Sequence, residues 1–230
     1  MRYPTIIILL CFFCLKGFCQ YDFLIGSLGV KSAEHPQILK GEFLLRKLKK
    51  DGRTSISYQF SNRMVSISYY PKTDNKCGFF VIANQVFFPD SAFDRNLLGC
   101  DLDYGSFIVY RLDINGKRFL IITAINFGSG TSTRHVFCNL FDITRKTIKY
   151  YSLESIYGSG ACFGDFDDDG HLDFVRMSYD SIDSNNDRFL LRLYSLDSVL
   201  NRFQRRDRYI LFARSYTSNS MHVDIIKRAW

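Results

Sequence analysis

Long apolar runs are scarce in this chain. After the one at 5–15 there is no second, so no membrane span is expected beyond it. Stretches rich in Pro, or in Gly and Ser, are missing, and so is any low-complexity tract, which leaves no linker on which to divide the chain. Beyond residue 19 there is no C-x-x-C, so a zinc ribbon or a thioredoxin-like site has no support. The histidines, His35, His135, His171 and His222, form neither H-E-x-x-H nor a close His–Asp pair. "FGSGTS" (127–132) and "YGSGAC" (157–162) match neither G-x-S-x-G nor a phosphate-binding loop. Ser129 and Ser159 are therefore read as turn residues, not nucleophiles. A carboxylate pair for glycoside hydrolysis is assembled in space, and nothing in the sequence selects one.

The N-terminus reads MRYPTIIILLCFFCLKGFCQ. A positive start at Arg2, a short apolar stretch at 5–15 and the polar Lys16-Gly17 give the layout of a secretory signal peptide, with cleavage expected after Cys19. The apolar stretch is well below the roughly 20 residues that cross a bilayer. The expected location is therefore secreted, periplasmic or extracellular. Removal of Arg2 and Lys16 with that segment lowers the formal charge from +7 to near +5. The basic clusters "RKLKKDGR" (46–53) and "RFQRRDR" (202–208) come with no nucleic-acid motif. They are read as solvated turn charge, and no nucleic-acid partner is expected. Cys77, Cys100, Cys138 and Cys162 remain. Export and an even count allow three disulfide connectivities, of which Cys77–Cys100 and Cys138–Cys162 is the expected one. Four buried thiols is the alternative.

Residues 20–230 read as one all-β domain. "SISYQF" (55–60) and "MVSISYY" (64–70) alternate apolar and polar residues around a short turn, the mark of a hairpin. The runs at 78–88, 106–127, 134–153 and 187–196 continue the pattern, with "DING" and "ITRK" as tight turns. Only 43–50 and 197–204 could be short helices, and neither carries a convincing cap. A worn repeat is visible at an offset of 54 residues, over approximately 104–156 and 157–210. "DINGKRFLIIT" (113–123) then lies on "DDDGHLDFVRM" (167–177), with Asp113 on Asp167, Asn115 on Asp169 and Gly116 on Gly170. Such periods point to propeller blades or arrays, although the first half of the chain shows no legible copy.

The second copy contains "GDFDDDGHLDF" (164–174), five aspartates in a basic chain. With Asp165 as position 1, Asp167, Asp169 and Asp173 fall at positions 3, 5 and 9, and Gly170 at position 6. Ca²⁺ takes six to eight oxygens at about 2.3–2.6 Å. Alternate residues of a tightening loop point inward, and glycine takes the sharp turn. His171, at position 7, is expected to offer its backbone carbonyl. Position 12 is Arg176, where an EF-hand needs a bidentate Glu. Unneutralised, carboxylates about 4–6 Å apart repel by roughly 1 kcal/mol per pair even in water. In the first copy the same positions hold Arg111, Asp113, Asn115 and Phe119, so no metal is expected there.

The stretch "FGDFDDDGHLDFV" (163–175) resembles the calcium loop of the FG-GAP and VCBS repeats, found also in the integrin α-chain propeller. It agrees at the ligand positions and at the Phe-Gly lead-in, with Asp168 where Gly is usual. The resemblance implies a β-propeller-like array, four-bladed or incomplete, with a two-sheet β-sandwich as the alternative. It also implies a structural Ca²⁺ on Asp165, Asp167, Asp169, the His171 carbonyl and Asp173, in a non-catalytic module that recognises a protein or glycan. A secreted hydrolase or accessory domain acting on polysaccharide is the competing expectation.

Overall fold

The computed structural model describes residues 21, 24–25, 36–39, 41–47, 54–60, 66–70, 78–88, 102–126, 136–180, 188–197, 199–200, 202–217 and 220–229. The expected signal segment, the turn at 127–132, Cys77 and Cys100 lie outside them. The described chain is all-β, with three five-stranded antiparallel sheets and none of them closed. It divides into two compact units, 35–160 and a second made of 1–34 with 161–230. No helix among the described residues is long and apolar enough to cross a membrane.

The 35–160 unit holds two sheets. The strands are β1 (Gln37–Ile38), β2 (Gly41–Lys47), β3 (Thr54–Phe60), β4 (Ser66–Tyr70), β5 (Phe79–Ile82), β6 (Gln85–Phe87), β7 (Leu102–Ile114), β8 (Lys117–Asn126), β9 (Val136–Asp142) and β10 (Lys149–Ser155). One sheet is the meander β2-β3-β4-β5-β6, and the other runs β1-β7-β8-β9-β10. The hairpin read at 55–70 is present, with Ile56 opposite Tyr69 and Tyr58 opposite Ile67. "DING" closes β7 onto β8 with Asn115 and Gly116 both at positive φ (47° and 74°), the conformation a two-residue hairpin turn needs. The stretch at 43–50 that could have been helical is strand as far as Lys47, because Phe43 to Lys47 ladder onto Thr54 to Tyr58.

The two sheets of this unit share one core. Ile67, Tyr69, Phe80 and Ile82 come from the first, and Leu120, Ile122, Ala124, Phe137 and Phe141 from the second. Ring contacts fasten them, Tyr69 on Phe80 at 4.9 Å and Phe80 edge-on to Phe141 at 5.6 Å. The Tyr69 hydroxyl accepts the Leu102 amide at 3.2 Å, which satisfies its polar tip inside the core. Successive strand residues face opposite ways, yet Phe119 and Ile121 are as buried as Leu120 and Ile122. The second sheet is thus covered on both faces, and the run "FLIIT" reads as a central strand. The glycines of "YGSGAC" have a packing role. A Cβ at Gly158 would stand 2.6 Å from Val136 Cγ1, and one at Gly160 would stand 2.9 Å from the Tyr110 ring.

The other unit holds the meander β11 (Phe163–Gly164), β12 (Asp173–Tyr179), β13 (Arg188–Asp197), β14 (Arg202–Thr217) and β15 (Ser220–Ala229). Val175, Met177, Leu191, Leu193, Ile210 and Phe212 are buried in it, and Phe189 stacks on Phe212 at 5.4 Å. The possible helix at 197–204 is absent. Strand β13 runs to Asp197, whose Oδ1 accepts the amides of Val199 and Leu200 and so makes a turn into β14. Shifted by 54 residues, β9 falls within β13 and β10 within β14. The pairing of β8 with β9 is one residue out of step with that of β12 with β13.

The expected Cys138–Cys162 disulfide is not formed; both residues are buried thiols. Cys138 sits in mid-strand in β9 between Thr123 and Leu153. Cys162 ends the short 3₁₀ turn Gly160–Cys162 and belongs to the other unit. Each sulfur is buried in the packing.

Candidate metal centre

Gly164 and Asp173 pair across β11 and β12, so the aspartate loop spans 165–172 between two bonded residues. Its conformation is set locally. Asp168 and Gly170 lie at positive φ, 61° and 80°, where glycine is at ease and aspartate is tolerated. The Asp165 carboxylate folds the loop around itself, accepting the amides of Asp169 at 3.1 Å and Gly170 at 2.9 Å. Phe166 and Leu172 are buried and anchor the loop to the sheet.

Asp165, Asp167 and Asp173 each present an oxygen, and the three oxygens lie within 4.8 Å of one another. Ligands held about 2.3–2.6 Å from one calcium-sized ion stand no more than about 5 Å apart. The trio could therefore hold a divalent cation. Asp167 Oδ1 is buried and has no hydrogen-bond partner, an acceptor that a cation would satisfy. Asp173 accepts the Phe166 amide at 2.8 Å on Oδ2 and a short hydrogen bond from the Ser195 hydroxyl on Oδ1. A carboxylate has about four lone-pair sites, so Asp165 and Asp173 keep capacity for an ion.

The electrostatics agree with the geometry. Asp173 is fully buried, and its acid is pushed up to about 7, first by burial. The bonds from Ser195 and Phe166 oppose that rise, and the charges of Asp167 and Asp169 add to it. Asp167 is raised as well, by burial and then by Asp169, with Arg206 and Arg208 holding it back. Both shifts mark surroundings that disfavour a bare carboxylate and that a bound cation would relieve.

No family model, no curated protein and no solved structure matches this chain.

Of the expected ligands, the structure brings Asp165, Asp167 and Asp173 together and places the Asp169 carboxylate elsewhere. Asp169 Oδ2 accepts Arg206 Nη2 at 2.8 Å, and its Oδ1 accepts the His171 amide at 2.8 Å. Arg206 Nε stands 3.8 Å from Asp167 Oδ2. The His171 ring has its Nδ1 buried without a partner. Two residues of this site escaped the sequence reading. Ser195 reaches Asp173 because the two are opposite each other in the β12–β13 ladder. Arg206 belongs to the cluster read as turn charge, but that cluster is strand β14. A period of two along β14 puts Arg206 and Arg208 on one face, and that alternation is the signal that could have found them.

Proposed function

We propose that this chain is an exported all-β binding module stabilised by one Ca²⁺ in an FG-GAP/VCBS-type loop, with its sheets acting as blades of a propeller-like array. Its partner is a protein or glycan. The single observation carrying the metal reading is the convergence of Asp165, Asp167 and Asp173 around the unpartnered Asp167 Oδ1. In this reading those three supply side-chain oxygens and His171 its backbone carbonyl. Asp169 completes the set by exchanging Arg206 for the ion. The ion neutralises the loop and locks β11 against β12, a structural role that leaves recognition to other surfaces.

Calorimetric titration of the purified chain with Ca²⁺ tests the metal reading. Extracellular calcium modules often bind at roughly 10⁻⁴–10⁻³ M, and saturable binding in that range is expected. Mg²⁺ should bind more weakly, since it needs a tighter octahedron and keeps its waters. No heat at millimolar Ca²⁺ would refute it. Glycan and protein arrays probed with and without calcium test the recognition role, and turnover of polysaccharide would replace it. Mass spectrometry of the exported product should find Gln20 as its first residue.

A further inference from the structure

The 35–160 unit contains a cleft of about 470 Å³ where the β5–β6 hairpin meets the loop between β9 and β10. This is within the usual range of small-molecule sites. Hydrogen bonds fix its walls. Gln85 ties the hairpin to the loop, donating from Nε2 to the Lys146 carbonyl at 3.0 Å and accepting the Ile148 amide at 3.1 Å. On the other side the Ile143 amide donates to the Arg118 carbonyl at 2.9 Å, and Thr144 Oγ1 accepts the Arg118 amide at 2.8 Å.

Two kinds of side chain line this cleft. Val81, Ile143 and Ile148 are apolar and half-buried, while Arg118, Arg145 and Lys146 bring three positive charges. Arg145 and Lys146 make no ion pair among the described residues, and Arg118 has only a 3.8 Å approach to Asp113. That carboxylate is held more closely by Arg111, at 2.6 Å. The hairpin tip is unusual as well. Ala83 and Asn84 both line the cleft and both sit at positive φ, 47° and 62°, without a glycine between them. A two-residue turn between Ile82 and Gln85 takes that conformation, with alanine standing where glycine, asparagine or aspartate is usual. Among the described residues no aromatic ring lines the cleft, so the stacking platform that a nucleobase uses is missing.

We propose that this cleft binds a small amphipathic organic anion. Its carboxylate or sulfonate head lies among Arg118, Arg145 and Lys146, and a short aliphatic chain covers Val81, Ile143 and Ile148. Arginine receives such a head through two parallel hydrogen bonds, and the apolar floor selects against a bare inorganic anion. The site is independent of the aspartate loop, which belongs to the other unit.

Calorimetric titration of the purified chain with sodium octanoate tests the proposal, with 1-octanol as the neutral analogue and sodium acetate as the tail-less one. Saturable octanoate binding on the order of 0.1–1 mM is expected for a ligand of this size. Octanol and acetate should each bind at least roughly tenfold more weakly. R145Q/K146Q should weaken octanoate by about tenfold or more at an unchanged melting temperature. If the double variant melts lower, R145Q and K146Q singly carry the same test. Absence of saturable binding, equal binding of octanol or acetate, or an affinity untouched by these variants would each overturn the proposal.

Discussion

Two loops stand 54 residues apart, at 113–116 and 167–170, and each leads into the strand that begins the common stretch of its sheet. They deal with acidic charge in opposite ways. In the first, position 1 is Arg111, and its guanidinium neutralises Asp113 directly at 2.6 Å. The turn shrinks to two residues, and position 9 is the fully buried Phe119. In the second, position 1 is Asp165, the loop opens to eight residues, and position 9 is the equally buried Asp173. The acid of the first loop is met by its immediate neighbours, Arg111 and Arg118. The second borrows Ser195 and Arg206 from later strands, and still leaves one buried oxygen of Asp167 without a partner. The loop with a single carboxylate thus has a neighbouring counter-charge and a tight turn, and the loop rich in carboxylates has an unmet electrostatic demand.

The largest effect should come from position 9 of the first loop. Phe119→Ala removes a fully buried ring and should cost about 3–5 kcal/mol in chemical denaturation, with or without calcium. A calcium-dependent cost there would break the contrast. Next comes the ion. At a dissociation constant of about 10⁻⁴ M, 1 mM Ca²⁺ adds roughly 1.4 kcal/mol, so chelation should lower the melting temperature by about 3–6 °C. Asp167→Ala should abolish that response, whereas Asp113→Ala should leave it intact.

The pH dependence follows from Asp173, whose acid lies near 7 in the metal-free fold against 3.8 ordinarily. Between those values the folded chain keeps a proton that the unfolded chain has lost. This contribution to the stability of the metal-free protein is therefore fully present below about pH 4 and disappears as pH rises towards 7. Calcium needs the ionised form, so its binding should release a proton and strengthen as pH rises through 7. Calorimetry in buffers of different ionisation enthalpy measures that proton, and finding none would remove Asp173 from the ligand set. Phe119, at the same position, carries no proton to release.

Arg206→Gln removes a competing cation 2.8 Å from Asp169 and 3.8 Å from Asp167, and calcium should then bind about threefold to tenfold more tightly. Weaker binding would mean that Arg206 positions the loop rather than competing for it. Arg111→Gln, in the half-exposed pair of the first loop, should change stability by under about 1 kcal/mol and calcium affinity not at all. The smallest effect is expected from Asp168→Gly. Relief of its positive φ is offset by the added freedom of the unfolded chain, for a net change within about 0.5 kcal/mol, and the calcium response should persist.

The sequence by itself determined what acts within a few residues. Alternation placed the hairpin at 55–70, because side chains that alternate in polarity every second residue can bury only one face, and turn residues placed the tight turn at 113–116. The spacing of Asp165, Asp167, Asp173 and Gly170 marked the loop, since a tight turn converges its own side chains without outside help. Tertiary structure decided the remainder. Ser195 and Arg206 lie 22 and 37 residues from the aspartates they touch, and only the pairing of β12, β13 and β14 in one sheet brings them there, Ser195 by register and Arg206 at an irregularity of the β13–β14 ladder. That register answers to burial across a whole sheet, so the local spacing that assigned Asp169 to an ion could not show Arg206 holding it. The same holds for Cys138 and Cys162, whose even count suggested a bridge while packing gave each thiol its own buried place. The cationic cleft at Arg118, Arg145 and Lys146 likewise exists only because two sheets meet over one core, bringing a hairpin at 82–85 against a loop some 60 residues further on.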